Sequence, residues 1–195
     1  MAVEHIILAL LWIGFSFLHS LLAASSLKER AKQLMQEKYK FYRISYSVFA
    51  VITLTTVLVY HFTMESVYLW NPHLAERIIA AGGMISGGWV MILFSRKFFF
   101  DLSGADIFRN TRSHQQLLKT DFYKYVRHPL YAATLFFVWS FFFLQPLLSN
   151  LVSCACITVY TLIGIHFEEK KLVSEFGESY LQYRSKTPML IPGLF

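Results

Sequence analysis

Charge is scarce in this sequence. Only 15% of its 195 residues are Asp, Glu, Lys or Arg, against about 25% in ordinary soluble domains. Hydrophobic residues make up 55%. That balance excludes a conventional soluble domain and points to a chain that uses lipid as much of its solvent. Cysteine is just as scarce: Cys154 and Cys156 stand two residues apart inside an apolar run. On a helix that spacing turns them to different faces, so neither a disulfide nor a metal pair is expected, only small packing residues. No low-complexity linker, composition shift or internal repeat divides the chain, so a single transmembrane domain over 1–195 is expected. The Gly-rich strand-to-helix fingerprint of soluble nucleotide-binding folds is also missing.

What is present is a series of apolar segments. A helix needs roughly 20 apolar residues to cross a bilayer, and five stretches serve: about 3–24, 44–62, 77–95, 129–145 and 147–167. The first is too long for the core of a signal peptide and begins with Glu4 rather than Lys or Arg, so it is expected to be a retained span. All but Arg77 of the 18 Lys and Arg residues fall in 25–43, 96–128 or the segment after 167. By the positive-inside rule these are cytoplasmic, the N-terminus is outside and the C-terminus is inside. The expected fold is therefore an all-α integral membrane protein of five helices, whose last two form a tight hairpin around Gln145 and Pro146. The net charge of +6 then reflects cytoplasmic loops, and nucleic acid is not an expected partner.

The hairpin sets two motifs side by side. YVRHPLY (125–131) enters the membrane at the face where HFEEKK (166–171) leaves it. Pro129 suits a first helical turn, where a missing N–H removes no bond. Glu168 and Glu169 are expected at the C-terminal end of the last span, where carboxylates oppose the helix dipole. They call for a cation, either Arg127, Lys170 or Lys171, or a bound cationic ligand. The plain alternative is a structural ion pair, with Lys170 and Lys171 as interface anchors. GGMISGG (82–88) in the third span is expected to pack helices closely through its small residues.

RHPLY, the hairpin, and then EEKKLVSEFGESYLQYRSKTPMLIP resemble the integral-membrane methyltransferases, a group that includes isoprenylcysteine carboxyl methyltransferases and phospholipid N-methyltransferases. The shared pattern, RHPxY, EE and FGxxYxxY, covers about 117–192. Asp121 and Ala133 stand where that group often has glycine. Further N-terminal, LHSLLAASSLKERAK (18–32), YRISYSVFAVITL (42–54) and GWVMILFSRKFFFDLSGADIF (88–108) resemble methanethiol S-methyltransferases and NnrU-type proteins.

The resemblance implies S-adenosylmethionine as cofactor. Segments 96–128 and 168–195 would complete its cytoplasmic site. Arg127, His128, Glu168 and His19 are the implied catalytic residues. Leu117, Leu118, Tyr123, Arg127, His128, Pro129, Tyr131, Glu168 and Glu169 are the implied cofactor-binding set. Arg127 suits the cofactor's carboxylate, the glutamates its amino and ribose groups, and the tyrosines and leucines its nucleoside. The methyl acceptor is a small thiol or an isoprenylcysteine-like lipid, with His19, Arg43 and Tyr46 on its side. A thiol reacts as thiolate, so His19, His128 or His166 is a candidate base. A lone histidine in a helix is more often a packed one, and Asp101 and Asp106 are weaker candidates. No metal site is expected. The competing readings are haem ligation by His19, His128 and His166 and a non-catalytic membrane protein.

Overall fold

The computed structural model describes residues 2–103 and 121–193; for Ser25, Lys40, Arg43, residues 97–103 and Asp121 it describes the backbone alone. The elements are α1 (Ala2–Ala23), α2 (Ser25–Met35), α3 (Tyr39–Thr63), α4 (Leu74–Ser103), α5 (Pro129–Leu144), α6 (Leu148–Phe176) and α7 (Glu178–Arg184), with short 3-10 turns at Gln36–Lys38 and Asp121–Lys124. No strand occurs among the described residues, only an isolated antiparallel bridge between Tyr68 and Leu147.

Burial is inverted relative to a soluble protein. On α1 the stripe Val3, Ile6, Leu10, Ile13 and Phe17 is exposed, while His5, Leu8 and Trp12 are buried. Lipid welcomes the first set, whereas polar groups in hydrocarbon must find protein partners. Among the described residues, four helical stretches are long and apolar enough to cross a membrane: Ala2–Ala23, Ile44–Thr63, Leu74–Arg96 and Leu148–Phe176. α5 is equally apolar but has 16 residues. That is about 24 Å at 1.5 Å per residue, short of a hydrocarbon core of about 30 Å.

Three boundaries depart from expectation. The segment 25–35, expected as an inner loop, is helical because its Leu, Lys, Glu, Arg, Ala, Gln and Met are good helix formers. α4 starts three residues before the expected span. α6 runs to Phe176, well past HFEEKK, because nothing breaks it before Gly177. Glu168 and Glu169 therefore lie about two turns inside α6, not at its end. The dipole argument for their cationic partners falls away, since that effect fades within the last turn.

The chain clusters into two compact units. The first takes in Met1–Asn71, Phe94–Thr111 and Gln145–Cys156. Its core is a directed chain of hydrogen bonds. Trp12 Nε1 donates to Ser153 Oγ at 2.8 Å. Ser153 Oγ lies 2.9 Å from His61 Nδ1. His61 Nε2 lies 2.8 Å from Asn150 Oδ1, and Asn150 Nδ2 donates to Gln145 O at 2.6 Å. An indole N–H only donates and an amide oxygen only accepts, so the arrangement favours Ser153 O–H on Nδ1 and a neutral Nε2–H His61. The turn after α5 is tied to the loop after α3, with Leu69 N donating to Pro146 O and Leu148 N to Val67 O. Cys154 is buried and neither cysteine is bridged.

The second unit takes in Pro72–Leu93, Arg112–Leu144 and Ile157–Phe195. Here α4 meets α5 through the glycines of GGMISGG, as the sequence suggests. A Cβ on Gly87 would lie 3.1 Å from Phe137 N and 3.2 Å from Ala133 O, and one on Gly83 would lie 2.5 Å from Ser140 Oγ. α5 and this part of α6 run antiparallel: Trp139 Nε1 donates to Thr158 Oγ1 at 3.1 Å, while His128 meets Glu169 some distance along. Gly177, at φ 51° and ψ −130°, takes a backbone conformation that L side chains resist. It ends α6 and folds α7 back.

Candidate functional site

Pro129 opens α5, and Arg127 and His128 stand just before it. Their backbone N–H groups do not cap a helix. They donate to the C-terminal segment, Arg127 N to Pro188 O at 2.9 Å and His128 N to Met189 O at 3.1 Å. Arg127 Nη1 holds the same segment through Arg184 O at 2.8 Å and Thr187 O at 3.0 Å. The proline-containing tail is thus part of the site's frame.

Glu169 is the hub. Its Oε1 lies 2.8 Å from Arg127 Nε, 3.2 Å from His128 Nε2 and 3.2 Å from Tyr180 Oη, while Oε2 lies 3.4 Å from Arg184 Nε. The Arg127 Nε contact is an ion pair whose N–H is off the hydrogen-bond line. A carboxylate this deeply buried needs such partners, because an isolated charge in a poorly solvated place is very costly. Burial, rather than the helix dipole, explains the cations around it.

Glu168, one residue earlier, points elsewhere. Its side chain is 43% exposed, 3.8 Å from His128 Nδ1 and hydrogen-bonded to Tyr131. His128 therefore stands between the two carboxylates and is itself buried. Tyr183 Oη donates to Tyr123 O at 2.5 Å. Burial raises the Tyr123 phenol, with Glu168 adding to the effect. Burial also lifts Tyr180, helped by the charge of Glu169, and pushes Tyr183 up to about 12. All three keep their protons at neutral pH, and Tyr180 and Tyr183 act as donors.

Among the described residues, two cavities border this cluster and a third lies beside Val126 and Pro129. One of about 480 Å³ is lined by Arg127, Leu181, Arg184, Ser185, Pro188 and Met189. Another, about 570 Å³, has Leu162, Ile165, His166, Glu169, Arg184 and Met189 among its walls. The third, about 680 Å³ and almost wholly apolar, lies between α4, α5 and the tail, with Val126, Pro129, Phe136, Trp139 and Leu190 in its walls.

A sequence model described as NnrU protein matches residues 7–191. The chain belongs to the NnrU family. This NnrU-family chain is 32% identical to a methanethiol S-methyltransferase of Crocosphaera subtropica, over 91% of its own length and 71% of that protein. It is 28% identical to methanethiol S-methyltransferase 1 of Bradyrhizobium diazoefficiens, over 97% and 67%. It is 42% identical to the protein-S-isoprenylcysteine O-methyltransferase of Schizosaccharomyces pombe, over 46% and 39%. No solved structure matches it. The enzyme class read from the motifs therefore stands: this is a methyltransferase of a multi-pass membrane family, and its chemistry calls for a methyl donor.

Within the NnrU-family chain, Arg127, His128, Pro129, Tyr131, Glu168, Glu169 and Tyr123 come together in the second unit. His19 and Tyr46 belong to the first unit, their rings 5.8 Å apart, and His19 also stacks on Phe15. Arg43 lies in α3 with only its backbone described, and the same holds for Asp101 in α4. Leu117, Leu118 and Asp106 lie outside the described residues. His166 is on α6 at the wall of a cavity. The sequence reading missed Tyr180, Tyr183 and Arg184. Their i, i+3, i+4 spacing marks one face of a helix, which is the signal that would have found them.

Proposed function

We propose that this protein transfers a methyl group from S-adenosylmethionine to a small thiol, at a site on the cytoplasmic face of a five-span membrane domain whose N-terminus is outside. The concentration of all but one Lys and Arg in 25–43, 96–128 and the segment after 167 supports the orientation, with α5 as the fifth span. The observation that carries the reading is the pair of adjacent carboxylates with divided tasks. Glu169 is buried among protein cations and donors, while Glu168 is left partly exposed beside His128 and Tyr131.

The residues fit the donor chemically. It has a carboxylate, an amino group, a sulfonium and a nucleoside, and the cluster offers arginines, carboxylates, phenols and the apolar walls Leu162, Ile165 and Met189. Bound there, the donor supplies an electrophilic methyl. Glu168 accepts hydrogen bonds from its cationic end. Tyr131 and His128 fix the Glu168 carboxylate, and the Arg127–Glu169 pair locks α6 to the tail. Holding the reactants in line accounts for much of such a reaction's acceleration. The haem alternative asks for an available ring nitrogen on His128, but both face carboxylates, at 3.2 and 3.8 Å.

The apolar cavity supports a second reading, a lipid-like acceptor such as an isoprenylcysteine. At about 680 Å³ it exceeds what a one-carbon thiol fills. Radiolabelled methyl transfer by detergent-purified protein to thiols, prenylcysteines and amine lipids tests both. Transfer to methanethiol supports the first reading, and transfer confined to prenylated acceptors replaces it with the second. No transfer, together with no donor binding, sinks both.

A further inference from the structure

Two arginines share one buried carboxylate in this site, and they do so unequally. Arg127 is 10% exposed, its Nε lies 2.8 Å from Glu169, and its Nη1 is spent on two carbonyls of the tail. Arg184 is 50% exposed and touches Glu169 only through Nε, at 3.4 Å. Among the described residues it is the partner of Glu169 Oε2, while Oε1 serves Arg127, His128 and Tyr180. Arg184 also ends α7, so its side chain springs from the last turn rather than from a packed interior.

Position adds to this. Arg184 and Met189 line both the 480 Å³ and the 570 Å³ cavities, so the Arg184 side chain is a wall common to the two. Among the described residues, the charges around Glu169 do not balance. One carboxylate faces two guanidinium groups, and Lys170 lines the same cavity. Glu168 pairs with His128 and Tyr131 instead. An anion arriving beside Arg184 would leave Glu169 matched one to one with Arg127.

We propose that Arg184 is the residue that takes the carboxylate of the donor's amino-acid end, exchanging its long contact with Glu169 for a two-point fork on the ligand. The assignment rests on the adenosyl-donor reading above and adds to it a residue outside the RHP and EE motifs. A guanidinium is suited to this exchange: it is always charged, and its planar fork matches a carboxylate at two points. The weak, single-point, half-solvated pair is readily given up. Arg127 is the structural cation and Arg184 the ligand cation.

The test compares S-adenosylhomocysteine with its carboxamide, which keeps every group except the anionic carboxylate, by equilibrium binding to the full chain in detergent. Unaltered protein should prefer the carboxylate by about 10- to 100-fold, the range for hydrogen bonds to a charged group. Arg184→Gln should bring that preference close to one and leave carboxamide affinity unchanged. Arg184→Lys, which keeps the charge but not the fork, should restore part of the preference. Melting temperatures check that both variants fold. Equal binding of the two ligands by unaltered protein overturns the proposal. So does a full preference surviving in Arg184→Gln, or an equal loss of both ligands in Arg184→Gln and Arg184→Lys. If unaltered protein binds neither ligand, the donor reading itself fails and this assignment fails with it.

Discussion

Two polar clusters lie among the described residues of this chain, and they are built on opposite plans. The first unit holds Trp12, Ser153, His61 and Asn150 in a neutral chain in which each donor meets one acceptor. The second holds Arg127, Arg184, His128, Glu168, Glu169, Tyr131 and Tyr180 in a charged cluster with unequal distances and two partly exposed members, Glu168 and Arg184. A closed neutral network has nothing left to offer a ligand. Its job is to let polar side chains sit inside an apolar protein. An open charged cluster keeps spare capacity, and spare capacity is what a binding site needs.

Breaking the centre of the charged cluster should have the largest effect on stability. Glu169→Ala leaves Arg127 buried with its carboxylate gone, a loss of about 3–5 kcal/mol for removing one partner of a buried pair. Thermal unfolding followed by size-exclusion chromatography should show a protein that melts far earlier or is not recovered. A melting curve close to that of unaltered protein would mean Glu169 is not the hub. Next comes the α4–α5 contact. Gly87→Leu drives a side chain into the backbone of Phe137 and Ala133, for about 1–3 kcal/mol of overpacking, and a lowered melting temperature is the readout.

The neutral network should respond more mildly. Asn150→Ala removes the acceptor for His61 and the donor to Gln145 O. Hydrogen bonds within membranes contribute about 0.6 kcal/mol on average and up to about 1.7, so the drop should be modest and donor affinity should not change. A large loss of donor binding in Asn150→Ala would erase the distinction between the clusters. Glu168→Gln sharpens it from the other side. Its pairing is half solvated, so stability should shift by less than about 1 kcal/mol. Donor binding should fall by about ten-fold or more, as expected for a lost charged hydrogen bond.

The sequence made some of this legible and hid the rest for identifiable reasons. Apolar runs mark the membrane helices because length and hydropathy are local properties. The α2 helix was invisible to that signal, being charged and short. RHP and EE pointed to the charged cluster because charges beside greasy segments are unusual. The separate tasks of Glu168 and Glu169 could not be read, since adjacent residues differ only in which way the helix turns them. The place of the tail was hidden too: backbone bonds from Arg127 and His128 to Pro188 and Met189 leave no trace in residue identity.

By itself, then, the sequence determined an all-helical membrane chain, the close packing of its glycine stretch and the pairing of RHP with EE. It could do so because hydropathy, residue size and the short connection over 145–147 act over short distances. Only the tertiary structure decided that Glu169 is the buried hub, that Glu168 stays accessible and that Arg184 joins them. Burial, on which the fate of every charge here depends, is set by what packs against a residue from elsewhere in the chain.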